Sequence, residues 1–173
     1  MKVIDDFLSP SEYKQISEYF LGPVVDWKYN DHKVMPDEDT DSFQFTHTAF
    51  EPTRFPVSVE RSMEALDPLY AKLAFDILVR VKVNMTPRTL EHNYTLFHTD
   101  TNQNNKTAIY YVNTNDGFTR FKDGTKVESI ANRIVIFDAQ TEHGGVTQTD
   151  AHVRVVVNIN YFEKAVFKER YGY

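Results

Sequence analysis

The spacing of apolar and polar positions divides the chain into a short helical part and a longer part of period two. Near the start, Ser9-Pro10-Ser11-Glu12 sets a capping serine, a proline at the first helical position and a glutamate three residues after the cap. Tyr13, Ile16 and Phe20 follow at helical spacing and Gly22-Pro23 ends the run, which predicts one helix there. Residues 24–29 are expected as a short strand, 30–42 as a polar loop and 43–50 as an alternating strand. A short helix is expected over 57–66, stopped at Asp67-Pro68. The loop carries the acidic run Pro36-Asp37-Glu38-Asp39-Thr40-Asp41. That run lacks the glycine-containing ligand loop of a calcium site and reads as solvated.

Further along, Val79, Val81, Val83 and Met85 alternate with Arg80, Lys82, Asn84 and Thr86, the pattern of a strand with two chemically different faces. More strands are expected over 96–100, 107–113, 118–121, 126–130, 133–137 and 153–162. Lys122-Asp123-Gly124-Thr125 is a hairpin turn by its Asp-Gly pair. No repeat, low-complexity stretch or linker interrupts the chain. Two helical pieces followed by roughly eight short strands predict a mainly β fold with N-terminal helices, an antiparallel sandwich or barrel with the helices on one outer face. The expected organisation is a single domain over 1–173, helical to about residue 70, with the β core from about 71 to 163.

Charge and composition narrow the functions. The formal net charge is −6, which argues against nonspecific binding to nucleic acid or an anionic membrane. The chain has no cysteine, so thiol nucleophiles, disulfides and iron–sulfur clusters are excluded, and any metal must be held by His, Asp or Glu. The first residues have no signal-peptide pattern and no apolar run is long enough to span a bilayer. A cytoplasmic protein is expected.

The candidate chemistry starts at His98-Thr99-Asp100. On an extended chain, residues i and i+2 point the same way, so an imidazole and a carboxylate emerge together, about 7 Å apart at their Cα atoms. This is a two-point chelate that needs a third ligand. His143 is the best candidate, since it follows an apolar strand and precedes Gly144-Gly145, where the chain is free to turn sharply. Two histidines and one carboxylate suit non-haem Fe(II), although the same set accepts Zn²⁺ or Mn²⁺. Arg154 lies eleven residues beyond His143, in a strand whose other face is Val153, Val155, Val157, Ile159 and Tyr161. A guanidinium among so many β-branched residues is costly unless it meets an anion, either a carboxylate of the protein or a dicarboxylate cosubstrate. Arg80 and Lys82 share a face with Asn84 and either touch a ligand or form a solvated cationic pair. His47 reads as structural, and His92 and His152 flank the ligand-bearing segments.

His98-x-Asp100, His143 forty-five residues on and Arg154 together resemble the Fe(II)- and 2-oxoglutarate-dependent oxygenase superfamily. The opening Ile4-Asp5-Asp6-Phe7-Leu8-Ser9-Pro10 is similar to that of many of its members, and Thr107-Ala108-Ile109-Tyr110-Tyr111-Val112-Asn113 is similar to the tyrosine-bearing strand of its prolyl hydroxylase branch. Asn84-Met85-Thr86-Pro87, with the stretch from 106 to 160, resembles small single-domain members encoded by marine phages. The resemblance implies a double-stranded β-helix, the cupin-like jelly roll, with iron held by His98, Asp100 and His143. It implies 2-oxoglutarate chelated to that iron and anchored by Arg154, with Tyr111 and Asn84 as further cosubstrate contacts. O₂ is the co-reactant, and the reaction yields succinate, CO₂ and a hydroxylated substrate. The chain departs from the family at Val156, where a small hydroxyl residue is common, and at Asp116-Gly117-Phe118-Thr119-Arg120-Phe121, in place of a Gly-Gly-x-Leu segment.

The substrate expected from this resemblance is a prolyl or other amino-acid side chain, in a small molecule or a peptide. The alternatives are a nucleic-acid dealkylase of the same superfamily, a zinc hydrolase and a non-catalytic jelly-roll binding module. If the chain is virus-encoded, its compartment is the host cytoplasm. The polar segment 30–42 is expected to order over the metal when substrate binds.

Overall fold

A computed structural model describes residues 1–31, 43–52 and 59–164. The chain runs β1 (Lys2–Ile4), α1 (Pro10–Phe20), β2 (Lys28–Asn30), β3 (Gln44–Phe50), α2 (Val59–Leu73), β4 (Phe75–Pro87) and β5 (Lys106–Tyr111). It continues through β6 (Phe118–Phe121), β7 (Lys126–Glu128), β8 (Arg133–Asp138), β9 (His143–Val146) and β10 (Val153–Glu163). Among the described residues the strands form a seven-stranded sheet, ordered β1-β8-β5-β10-β4-β3-β2, and a three-stranded sheet, ordered β7-β6-β9. All pairings are antiparallel. After β5 the chain crosses to the small sheet for β6 and β7, returns for β8, crosses for β9 and returns for β10. This double winding is a jelly roll.

The capping box at Ser9 and Glu12 is formed as the sequence predicts: the Ser9 hydroxyl accepts from the Glu12 amide and the Glu12 carboxylate accepts from the Ser9 amide. Ile16 and Phe20 of α1 and Leu66 and Leu69 of α2 pack with Val81, Val83, Val155, Val157, Ile159 and Tyr161 in one core, so the helices cover the outer face of the large sheet. A second, smaller core of Ile109, Tyr111, Phe121, Val127, Val135, Phe137 and Val156 fills part of the space between the sheets. The strand alternation in β10 therefore sends valines toward the helices and Arg154, Val156, Asn158 and Asn160 inward.

Four expectations are corrected. α2 continues through Pro68 to Leu73 instead of stopping at Asp67-Pro68. Pro68 cannot donate to the Glu64 carbonyl, and the Gln15 amide of α1 donates to it in its place, at 3.1 Å. The strand near residue 24 begins only at Lys28, because Val25 turns into the core and its carbonyl accepts from the Trp27 amide. Residues 96–100 form no continuous strand: the segment is held by isolated bridges at Tyr94 and His98. Gly144-Gly145 is no sharp turn but part of β9. A Cβ on Gly144 would lie 2.9 Å from the Thr95 carbonyl oxygen, so glycine here permits close strand approach. His32, the acidic run 36–41 and nearly all of the expected covering segment 30–42 lie outside the described residues. No helix among the described residues is long and apolar enough to cross a membrane.

Candidate metal centre

The two histidines are brought together by backbone pairing. The His98 amide donates to the His143 carbonyl and the His143 amide to the His98 carbonyl, each at 3.0 Å. Asp100, two residues on from His98, brings its carboxylate to the same side although the segment is not a continuous strand. The nitrogens of His98 and His143 and a carboxylate oxygen of Asp100 all lie within 4.8 Å of one another.

Each histidine is held in one tautomer. The His98 Nδ1 lies 3.2 Å from the Leu96 carbonyl and the His143 Nδ1 lies 2.9 Å from the Thr141 carbonyl. A carbonyl only accepts, so each Nδ1 carries the proton and each Nε2 is left with a lone pair. Burial pulls the His143 pKa below its ordinary value, outweighing the opposite pull of Asp100. That side chain is 3% exposed and favours its neutral, ligating form.

Asp100 is set up as a carboxylate. The Thr107 hydroxyl donates to Oδ2 at 2.7 Å, the Asn160 amide to Oδ2 at 3.2 Å, and the Asn158 amide to Oδ1 at 3.2 Å. Burial pushes its pKa up, but His143, Thr107, Asn158 and His98 outweigh burial and hold it below the ordinary value. Asn158 and Asn160 were not singled out as site residues from the sequence, though their alternation with the core valines of β10 puts them on the Arg154 face.

One cavity of about 460 Å³ between the sheets joins these ligands to Arg154. Arg154 is 6% exposed, and its partners are hydroxyls: Nε donates to Ser129 Oγ at 2.8 Å and Nη2 to Thr119 Oγ1 at 3.3 Å. Its guanidinium carbon lies 5.6 Å from the centre of the Tyr111 ring. Among the described residues no carboxylate is paired with it, so the salt-bridge explanation for this residue is not what the structure contains. Gly117 makes room for it: a Cβ there would stand 2.9 Å from the Arg154 Cδ. The Asp116–Phe121 departure thus supplies both this space and the Thr119 hydroxyl.

The remaining candidates separate clearly. Asn84 lines the cavity, and its Oδ1 is buried without a hydrogen-bond partner among the described residues. Tyr111 is fully buried behind Arg154 rather than on the cavity wall, and its hydroxyl donates to Thr119 Oγ1 at 2.8 Å. Val156, Arg80 and Lys82 line the cavity. Burial, with Arg80 alongside, pulls the Lys82 ammonium below the usual lysine range. His47 is buried away from the cavity between Phe20 and Trp27, as a structural residue. The His92 ring binds the Thr147 carbonyl, and His152 is exposed.

No protein-family model and no curated protein matches the sequence. Solved structures do match. A prolyl hydroxylase from Trichoplax adhaerens, in complex with a hypoxia inducible factor peptide fragment, is 13% identical with a TM-score of 0.57, over 94% of this chain and 83% of that one. A Pseudomonas putida prolyl-4-hydroxylase is 13% identical with a TM-score of 0.55, over 94% and 92%. HygX from Streptomyces hygroscopicus, with nickel and 2-oxoglutarate bound, is 9% identical with a TM-score of 0.60, over 94% and 82%. At these identities the likeness is one of fold, and the fold is that of the 2-oxoglutarate/Fe(II) oxygenases.

Proposed function

We propose that the protein is an Fe(II)- and 2-oxoglutarate-dependent oxygenase that hydroxylates an amino-acid side chain, free or in a peptide. The observation that carries this reading is the buried Arg154 guanidinium, without a carboxylate partner among the described residues, in the cavity that also holds His98, Asp100 and His143. A zinc hydrolase or a passive binding module would leave that charge without a function.

The donor set fits the metal. Two imidazole lone pairs and one ionised carboxylate suit Fe(II) and leave further coordination positions for a chelating cosubstrate. When bound, iron with 2-oxoglutarate and O₂ supplies an oxidative decarboxylation that gives succinate and CO₂ and a hydroxyl group for the substrate. The chain's own residues bind and orient. His98, Asp100 and His143 would hold the metal, with the Leu96 and Thr141 carbonyls fixing the histidine tautomers. Thr107, Asn158 and Asn160 keep Asp100 ionised and aimed. The Arg154 guanidinium, positioned by Ser129 and Thr119, would take the distal carboxylate of 2-oxoglutarate. Thr119 offers that end of the cavity the hydroxyl that Val156 lacks. The unpartnered Asn84 Oδ1 marks its amide as a further polar contact. Tyr111 acts through Thr119 and through its ring beneath the guanidinium.

A shared fold with a prolyl hydroxylase seen with a peptide supports an amino-acid substrate. So does the partnering of cations that could otherwise have tracked a phosphate backbone: Lys106 pairs with Asp138, Lys122 pairs with Glu142, and Arg120 donates to the Thr95 carbonyl. The test is anaerobic addition of Fe(II) and 2-oxoglutarate. A visible charge-transfer band should appear only with both present, and succinate should form on admitting O₂. Failure of the band to form with intact protein would sink the proposal.

A further inference from the structure

On the oxygenase reading above, we infer that the primary substrate carries a free carboxylate, docked on Lys82 and Arg80, and is a small acid of amino-acid size.

The register of the large sheet orders the cavity. Thr86 of β4 faces Arg154 of β10, Asn84 faces Val156, Lys82 faces Asn158 and Arg80 faces Asn160. Movement along β4 from Thr86 to Arg80 therefore runs from the cosubstrate anchor to the metal centre. Asn158 and Asn160 hold Asp100, so Lys82 and Arg80 stand one strand over from a metal ligand, on the side away from β5.

Neither cation is fully neutralised there: Asp100 meets Arg80 only at long range, and the Asp100 and Glu51 carboxylates act on Lys82 from beyond ion-pair distance. Lys82 is half-buried, and no carboxylate of the described residues lies within ion-pair distance of it. Arg80 reaches Asp100 only at 3.9 Å, and that carboxylate already accepts from a hydroxyl and two amides. Two like charges on neighbouring inward positions of one strand repel, and each has lost part of its water. An arriving anion relieves both costs at once. Thr48 of β3, directly opposite Lys82, adds a hydroxyl beside it.

The ligand's form follows from the number and depth of these charges. A nucleic-acid strand is tracked by several cations along an open groove. Here two cations sit inside one cavity of about 460 Å³ that must also take 2-oxoglutarate. A carboxylate matches the planar fork of Arg80 and the ammonium of Lys82, and the space left suits a molecule of amino-acid size.

The test uses the full chain with Fe(II) and 2-oxoglutarate under anaerobic conditions, titrated with the free proteinogenic amino acids and with their carboxamides. At least one free acid should shift the charge-transfer band and, with O₂, raise succinate formation. Its carboxamide should need at least about tenfold more. Lys82→Gln should weaken the acid by the same factor and leave the carboxamide unaffected, and Lys82→Arg should restore most of the loss. The affinity for 2-oxoglutarate, read from the same band, should not change in either variant. The inference is overturned if acid and carboxamide act equally or if Lys82→Gln leaves the acid unaffected. It is also overturned if the whole panel is silent, or if only a blocked peptide or a single-stranded oligonucleotide raises succinate. A missing band in the wild type overturns the oxygenase reading itself, so the two failures are distinct.

Discussion

A guanidinium taken out of water and given, among the described residues, hydroxyls and a tyrosine ring but no carboxylate is under electrostatic tension, and Arg154 concentrates that tension at one end of the cavity. A dicarboxylate resolves it. Arg154→Met keeps most of the side-chain volume and removes the charge, so the metal triad should survive while 2-oxoglutarate binding fails. Losing a desolvated charged partner costs about 2–5 kcal/mol, or roughly 30- to several-thousand-fold in affinity. Titration of the anaerobic charge-transfer band measures this, and an unchanged affinity would remove Arg154 from the cosubstrate site. The complementary substitutions are His98→Ala and His143→Ala. Each removes one of three ligands from a backbone arrangement made by other bonds. Both variants should retain the wild-type far-UV circular dichroism spectrum and lose tight Fe(II) binding. Succinate formation near the wild-type rate in either would refute the ligand set.

At the scale of elements, much of the site was legible because period-two alternation assigns faces. That pattern put Arg154 opposite the core valines and put Asn84, Lys82 and Arg80 together on one polar face, which the structure turns toward the cavity. It did not separate Tyr111 from the cavity, because the intersheet core that buries Tyr111 is assembled from β6, β7, β8 and β10, a packing that alternation along one strand does not reveal. It also misread two breakers whose effect depends on a tertiary partner. Gly144 suggested a turn, yet it sits in β9 where the Thr95 and Leu96 carbonyls approach. Gly144→Ala would force this contact apart beside both histidines. We expect at least about a tenfold loss of metal affinity with the fold retained, since overpacking of this kind costs about 1–3 kcal/mol. Competition with a chelator would measure the loss; unaltered affinity would mean the 94–98 segment adapts freely. Pro68 suggested a helix end, yet α2 continues because Gln15 serves the orphaned Glu64 carbonyl. Gln15→Ala should then cost about 0.5–1.5 kcal/mol in urea unfolding. The cost should shrink in a Pro68→Ala background, where the backbone N–H at position 68 reclaims that carbonyl. Equal costs in both backgrounds would show that the two residues are not coupled.

Across the whole molecule, the site is shared between layers that the chain visits alternately. The large sheet contributes Arg154, Asn158, Asn160 and Thr107, and the small sheet contributes His143 and Thr119. Residues 94–98 lie beside β9 of the small sheet on isolated bridges, and Asp100 reaches the large sheet through Thr107, Asn158 and Asn160. A metal held by His98, Asp100 and His143, with a cosubstrate reaching Arg154, would therefore tie together parts of the jelly roll that otherwise meet through the small core and a few hydrogen bonds. Ligands that bind only the folded state stabilise it by mass action, by about 2.7 kcal/mol at a hundredfold excess over the dissociation constant. For a protein of this size that corresponds to a rise of roughly 5–10 °C in melting temperature. Mn(II) and 2-oxoglutarate added together to chelator-treated protein should produce such a rise, and should slow amide exchange in β9 more than in α1. Asp100→Ala should abolish the response. Arg154→Met should keep the part due to the metal and lose the increment due to 2-oxoglutarate. An equal rise in wild type and Asp100→Ala would mean that the ligands bind elsewhere and that the two sheets are not joined through this centre.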